Sequence, residues 1–195
     1  TGPRSRARAP IITLPRSVRE YIFSPKTVSR RGLPDVPKKD FHNPVALRVR
    51  WSECDAQGIV YYGRYMDYVE IGLAEYFRNL GHRLYDEAQR ASFDTATVKI
   101  TLEFIAPAKI DDVLTIHCRV NRIGNTSMDV VYEIFMDGTD DLVHRAEGVQ
   151  VNYNADSESA RRVPDGLRTI IETFESTGMV RPLADFPDLR GLMLS

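Results

Sequence analysis

Hydrophobic and polar positions alternate along most of this chain in two distinct rhythms. Val45 to Trp51 keeps Val45, Leu47 and Val49 on one side and Arg48 and Arg50 on the other, which predicts a strand. Ser52 to Gly58 reads as a loop by composition. Residues 63–80 then switch to a helical period: Tyr65, Val69, Gly72, Leu73, Tyr76 and Leu80 share a face, widened by Met66 and Phe77, with Arg64, Asp67, Glu75 and Arg78 opposite. A helix apolar over so much of its circumference is expected to lie against a sheet that wraps it, and Gly81 supplies its stop.

From Thr95 the period returns to two. Val98, Ile100, Leu102 and Phe104 alternate with Lys99, Thr101 and Glu103, and Leu114, Ile116, Cys118 and Val120 with Thr115, His117 and Arg119. Met128, Val130, Tyr132, Ile134 and Met136 form a third such series, and residues 142–153 a fourth. Pro107 with Asp111-Asp112, Gly124-Asn125 and Asp137-Gly138 mark the turns. Pro164 to Glu175, followed by Gly178, reads as a closing helix. The sum is an α+β domain: a curled antiparallel sheet of about five strands around a central helix.

Composition divides the chain. Residues 1–44 hold ten Lys or Arg against Glu20, Asp35 and Asp40, and seven of the eleven prolines. Such a stretch pairs poorly, because proline removes backbone donors. It is expected to be an irregular basic extension, docking through Ile11, Ile12, Leu14, Tyr21, Ile22 and Phe23. Its Arg and Ser content also suits an organellar address or a basic arm, although the charges are interrupted rather than clustered. The domain follows over 45–178, with a tail at 179–195. It is net acidic, which argues against a nucleic-acid partner. No apolar run approaches the ~18 residues of a membrane span, so a cytoplasmic protein is expected. Two cysteines, Cys54 and Cys118, make neither a disulfide framework nor a thiolate zinc site.

The chemistry concentrates just before the central helix. Asp55 precedes the helix opening at Gly63 by eight residues. A carboxylate beside first-turn N–H groups suits acyl transfer, since those donors and the helix dipole stabilise charge developing on a carbonyl oxygen. Gly58 permits a tight turn and close backbone approach. The ordinary alternative is that Asp55 caps a turn, as most loop Asp residues do.

The stretch Arg50-Trp51-Ser52-Glu53-Cys54-Asp55-Ala56-Gln57-Gly58-Ile59-Val60-Tyr61-Tyr62-Gly63-Arg64-Tyr65 resembles the signature of hotdog-fold thioesterases, nearest the 4-hydroxybenzoyl-CoA thioesterase type. Phe104 to Asp112, Arg122 to Ser127 and Val149 to Pro164 are similar to that family's later turn, hairpin and last strand, so the resemblance spans roughly residues 45–168. It implies hydrolysis of a fatty acyl- or aryl-CoA thioester by a homodimer or homotetramer, with no metal and no organic cofactor. Asp55 would be the carboxylate, acting as nucleophile or general base, and Tyr62 would supply the backbone oxyanion donor, joined by Gly63. Gly58, Val60, Tyr61, Gly63, Tyr65 and Glu70 would line the substrate site. Glu70 has a separate claim, because a second branch uses a helical Glu as its carboxylate. The position of Tyr62 is His in many acyl-CoA thioesterases, so this chain lacks a loop imidazole. That absence also speaks against a hotdog hydratase or dehydratase, one rival reading; the other is a non-catalytic acyl-CoA-binding hotdog protein.

The remaining candidates are weaker on sequence. Cys54 has no His placed to activate it. His117 is expected on the solvent side of its strand, and His82 and His144 lack the spacing of a metal site. Trp51, Tyr61 and Tyr65 suit either a pocket wall or core packing. Arg122, Arg145 and Arg161-Arg162 are candidates for the CoA phosphates.

Overall fold

The computed structural model describes residues 36–84 and 90–192. The apolar positions expected to dock the basic extension lie outside these residues. Among them, β1 (Val45–Arg48), β2 (Thr95–Phe104), β3 (Val113–Ile123), β4 (Ser127–Met136) and β5 (Leu142–Asn154) form one antiparallel sheet in the order β1-β3-β4-β5-β2. A short β6 (Ser159–Ala160) pairs with the end of β5. Helix α1 (Arg64–Asn79) separates β1 from β2 and packs on β3; α2 (Asp165–Thr177) follows β6 and closes one end. This is the α+β arrangement that the element order predicts, and the hotdog fold that the resemblance implies.

The period-two pattern explains the inner face. Leu114, Ile116, Cys118 and Val120 of β3 and Met128, Val130, Tyr132 and Ile134 of β4 are all buried beneath α1. The helix contributes Tyr65, Tyr68, Val69, Leu73, Tyr76 and Phe77. It comes nearest the sheet at Gly72, where a Cβ would stand 2.8 Å from Ile116 Cγ2 and 3.7 Å from Tyr132 Cδ1. Across the ring, a Cβ on Gly148 would stand 3.6 Å from Tyr132 Cε2. Gly72 and Gly148 thus flank the largest inward side chain of β4, and a side chain larger than glycine at Gly72 would force a shift. At the end of α2, Gly178 adopts φ 73° and its N–H donates to the Phe174 carbonyl at 2.8 Å, a left-handed cap that glycine adopts without a Cβ penalty.

Several positions depart from the pattern, each for a local reason. Met66 is 40% exposed rather than part of the buried face, while Tyr68 is buried. A register shift between Thr97 and Lys99 turns Val98 out to 62% exposure, as a bulge does when it reverses alternation. The first strand ends at Arg48, and Trp51 stands 82% exposed in a 3-10 turn over Trp51–Glu53.

The largest departure is on the outer face. His117, Glu133 and Arg145 occupy neighbouring outward positions on β3, β4 and β5, yet all three are buried. Residues 36–41 cross this face, seating Val36 and Phe41 against Val131. Phe41 meets the His117 ring edge-on at 5.4 Å, and Lys38 lies over Phe135 at 4.5 Å. His117 is therefore no surface residue; burial and the Lys38 charge push its pKa down to about 4. Arg145 Nε donates to Glu133 Oε1 at 2.8 Å, so this arginine is spent on a buried ion pair rather than available for phosphate.

Candidate functional site

The segment before α1 is folded by its own backbone. Asp55 N–H donates to the Ile59 carbonyl at 2.9 Å, Gly58 N–H to the Asp55 carbonyl at 3.0 Å, and Cys54 pairs with Val60. The reversal needs a positive φ, and Gly58 supplies it at 76° with open space around the missing Cβ. Val60 then straps the loop to the domain: its N–H donates to the Ala108 carbonyl at 2.8 Å and its side chain is buried beside Ala108, Leu114 and Ile116. Glu53 fixes the other side, accepting the Arg50 N–H at 2.7 Å and the Tyr68 hydroxyl at 3.0 Å through Oε2.

This scaffold presents Asp55 with one oxygen engaged. Oδ1 accepts the Gln57 N–H at 2.7 Å, a turn bond of the kind loop Asp residues commonly make; Oδ2 has no partner among the described residues. Beyond it the chain enters α1. The carbonyls of Tyr61, Tyr62 and Gly63 accept the Arg64, Tyr65 and Met66 amides at 2.8, 3.3 and 3.2 Å, closing the first turn. The amides of Tyr62 and Gly63 themselves donate to no acceptor among the described residues, as helix geometry leaves the first donors unmatched. A carboxylate with a free oxygen and an unspent pair of N–H groups thus belong to one short segment at a helix N-terminus.

Aromatic rings surround this end of the helix. Tyr61 and Tyr62 are exposed, with ring centroids 4.5 Å apart. Tyr62 lies edge-on to Phe104 at 6.4 Å. Beneath them Tyr65 is buried, and burial pushes its phenol up to about 12, partly offset by a hydrogen bond with the Ala108 backbone. His144 stacks flat on Tyr65 at 4.5 Å and meets Phe104 at 5.0 Å. It is fully buried, and desolvation pushes it down to about 3, which keeps the ring neutral at neutral pH. His144 is a neighbour of the site that motif spacing does not reveal. Its inward register, opposite Ile134 on β4 and Phe104 on β2, is the signal that could have found it.

Glu70 is exposed on the flank of α1, seven residues and about 10 Å along the axis from Gly63. With Met66, Asp67, Val69, Leu73 and Leu84 it borders a cavity of about 290 Å³ that runs between α1 and β2 and reaches Ile100, Tyr132 and Gln150. Cys54 is held as a thiol, because burial and the Asp55 and Glu53 charges all raise its pKa. Arg161 is committed to the carbonyls of Ala91, Arg90 and Tyr153, Arg162 to Asp165, and Arg122 to Asp129. Among the described residues no group of three His, Cys, Asp or Glu side chains is placed to hold a metal ion, and no helix is long and apolar enough to cross a membrane.

Known proteins are similar to this chain in sequence and in fold. The sequence model of the Thioesterase superfamily matches residues 57–143, which takes in Gly58, Val60 to Gly63, Tyr65 and Glu70 and begins two residues after Asp55. The acyl-CoA thioester hydrolase YbgC of Escherichia coli O6:H1 is 28% identical over 122 residues, 62% of this chain and 89% of the relative. Among solved structures, a member of the thioesterase superfamily from Jannaschia sp. CCS1 superposes with a TM-score of 0.64 at 20% identity, over 77% of this chain and 99% of that one. A thioesterase of Thermus thermophilus, crystallised with coenzyme A and zinc, gives 0.59 at 19% identity, over 74% and 99%. In sequence and in fold the chain resembles the hotdog-fold thioesterases.

Proposed function

We propose that this protein hydrolyses acyl-CoA thioesters at the N-terminus of α1, with Asp55 as the catalytic carboxylate and the Tyr62 and Gly63 amides as oxyanion donors. The reading rests on the combination described above, a carboxylate oxygen and two amides in one segment, all without a partner among the described residues. The thioester carbonyl oxygen would accept from the amides, whose worth grows as negative charge develops there. As general base, Asp55 takes a proton from water as the water oxygen bonds to the carbonyl carbon. Collapse of the tetrahedral adduct breaks the C–S bond, and the proton returns to the CoA sulfur. As nucleophile, Asp55 would instead bond to the carbonyl carbon, expel CoA and leave a mixed anhydride for water to open. Gly58 and Tyr61 flank the approach, Val60 and Tyr65 brace it from beneath, and Glu70 stands along the acyl path. In this reading no metal or organic cofactor takes part.

The substrate class follows the relatives: the Escherichia coli protein is named for acyl-CoA thioester hydrolysis, and the Thermus thermophilus neighbour holds coenzyme A. A second copy of the chain completes the assembly in this reading, as a dimer or tetramer. β2 is a ten-residue edge strand paired on one side by β5, with Val98 and Phe104 exposed, a surface suited to pairing with another chain. The reading also places the protein in the cytoplasm, an organellar address in the basic N-terminal extension being the alternative.

The test is release of free CoA from a panel of fatty acyl- and aryl-CoA thioesters by the purified protein, with Asp55→Ala beside wild type. Turnover of at least one member, lowered ~100-fold or more by the substitution, is expected. Tight acyl-CoA binding with no release from any member would mark a binding protein instead.

A further inference from the structure

The cavity along α1 has a polar end that the proposed hydrolysis does not use. Its walls near the helix are Met66, Val69, Leu73, Leu84 and Ile100, and at about 290 Å³ it lies at the small end of small-molecule sites. Met66 and Leu73 are seven residues apart, about 10 Å along the axis, so the cavity leads inward from the first turn, where the open amides are. Tyr132 and Gln150 also line it, and both are buried. Tyr132 Oη is fully buried and, among the described residues, makes no hydrogen bond of ordinary geometry. Burial holds its phenol well above the usual range, opposed only by the neighbouring Gln150 side chain. Gln150 Oε1 accepts the Thr97 hydroxyl at 3.0 Å. Its amide nitrogen carries two N–H donors, of which the phenol oxygen can engage one.

A buried phenol O–H with no acceptor is costly, on the order of 1–3 kcal/mol. The fold nevertheless keeps Tyr132, threading its ring between Gly72 and Gly148. A phenylalanine would fill the same slot without the penalty. The unspent groups are of one kind: a phenol O–H and an amide N–H, both donors. They suit an acceptor oxygen of a ligand that enters the cavity. The cavity wall narrows the choice further. Asp67 and Asp94 at the rim are each paired to an arginine, and the walls beyond them are mostly apolar. Burying a ligand carboxylate there would cost far more than one phenol O–H returns, which leaves a neutral oxygen, a hydroxyl or a ketone.

We propose that this cavity receives the acyl portion of the substrate, and that Tyr132, with Gln150 beside it, selects acyl groups bearing a neutral hydroxyl or keto oxygen over their hydrocarbon counterparts. The proposal builds on the thioesterase reading but concerns a different part of the molecule. A site built to pair a substrate oxygen rejects the analogue lacking it, because its own donors are then left buried and unmatched. Tyr132 is in this account a specificity residue, remote from the Asp55 loop.

The test uses matched acyl-CoA pairs, hydroxylated and plain, of equal carbon skeleton, with wild type and Tyr132→Phe. The expected kcat/KM preference for the hydroxylated member is tenfold or more in wild type. In Tyr132→Phe it should collapse toward unity, through a loss of kcat/KM on the hydroxylated member. Since the phenol O–H has no acceptor, Tyr132→Phe should melt no lower than wild type; a clear fall in Tm would show that the hydroxyl serves the fold instead. Hydrolysis-resistant thioether analogues of the same pairs, titrated into both proteins, report selectivity whether or not turnover occurs. Absent turnover with a binding preference that depends on Tyr132 would overturn the hydrolase reading and keep the cavity's role. Equal treatment of the pairs by wild type, or a preference that survives Tyr132→Phe, would overturn the selectivity proposal.

Discussion

The two ends of α1 treat their polar groups in opposite ways. At the C-terminal end Tyr76, Phe77 and Leu80 are buried in the same core as α2, where Glu175 gathers the neighbouring polar groups. Its Oε1 accepts the Tyr76 hydroxyl at 2.7 Å and the Val120 N–H at 2.8 Å, while Oε2 lies 3.2 Å from Arg119 Nε. At the N-terminal end the rings of Tyr61 and Tyr62 are exposed, the amides of Tyr62 and Gly63 have no acceptor among the described residues, and one Asp55 oxygen is likewise unpaired. The same helix is therefore sealed where it only holds the fold together, and left open where an outside molecule can complete the bonding. Unpaired donors in the same short segment as a carboxylate are, in the proposed reading, the site.

That contrast can be tested by disturbing each end. The largest effect on folding is expected at the sealed end. Glu175→Ala strands a buried hydroxyl, a buried amide and an arginine, at a cost of about 3 kcal/mol. Thermal melting should show it, while turnover per folded molecule stays near wild type; a loss of turnover with unchanged Tm would erase the distinction between the ends.

Acid should act next, through the imidazole behind the open end. His144 takes its proton only near pH 3 when folded, against an ordinary value of 6.5. Between those values the unfolded chain binds the proton that the folded chain refuses. Stability is then complete above about pH 6.5 and is lost as pH falls, by up to about 1.4 kcal/mol per pH unit. His117 adds a slope of the same sign down to about pH 4. Chemical denaturation across this range should show the decline, and His144→Phe should flatten its part of it.

Gly58→Ala is expected to cost about 1 kcal/mol, since it forces a side chain into a left-handed backbone where nothing crowds it. Its Tm should drop by only a few degrees, whereas turnover falls several-fold because the loop that carries Asp55 is re-aimed. The smallest change belongs to Tyr62→Phe. The proposed donor is the backbone N–H, which any residue but proline keeps, so kcat should stay within a few-fold of wild type; a loss approaching that of Asp55 variants would point to the phenol.

Much of this was legible in the alternation of side chains. Leu114 to Val120 and Met128 to Ile134 face the helix as their period requires, and Tyr65, Val69, Leu73 and Tyr76 meet them. What periodicity could not show was the cover on the other side. His117, Glu133 and Arg145 look like solvent residues until residues 36–41, which have no period at all, cross over them. Val98 was misplaced because a bulge shifts register without a sequence signal of its own. The proposed loop residues were legible as candidates, because Asp55, Gly58 and Tyr62 lie close in sequence. His144 and Tyr132 were not, because they reach their positions through strand pairing with residues far along the chain.

The central claim is that the Asp55 carboxylate at the open end of α1 carries out the hydrolysis, rather than Glu70 on the helix flank. The most direct measurement is the rate of free CoA release by Asp55→Asn and Glu70→Gln, assayed side by side with wild type on the best thioester, with Tm recorded for each. The account predicts that Asp55→Asn loses ~100-fold or more in kcat at an unchanged Tm, while Glu70→Gln stays within about tenfold of wild type. Full turnover by Asp55→Asn, or the larger loss in Glu70→Gln, would contradict it.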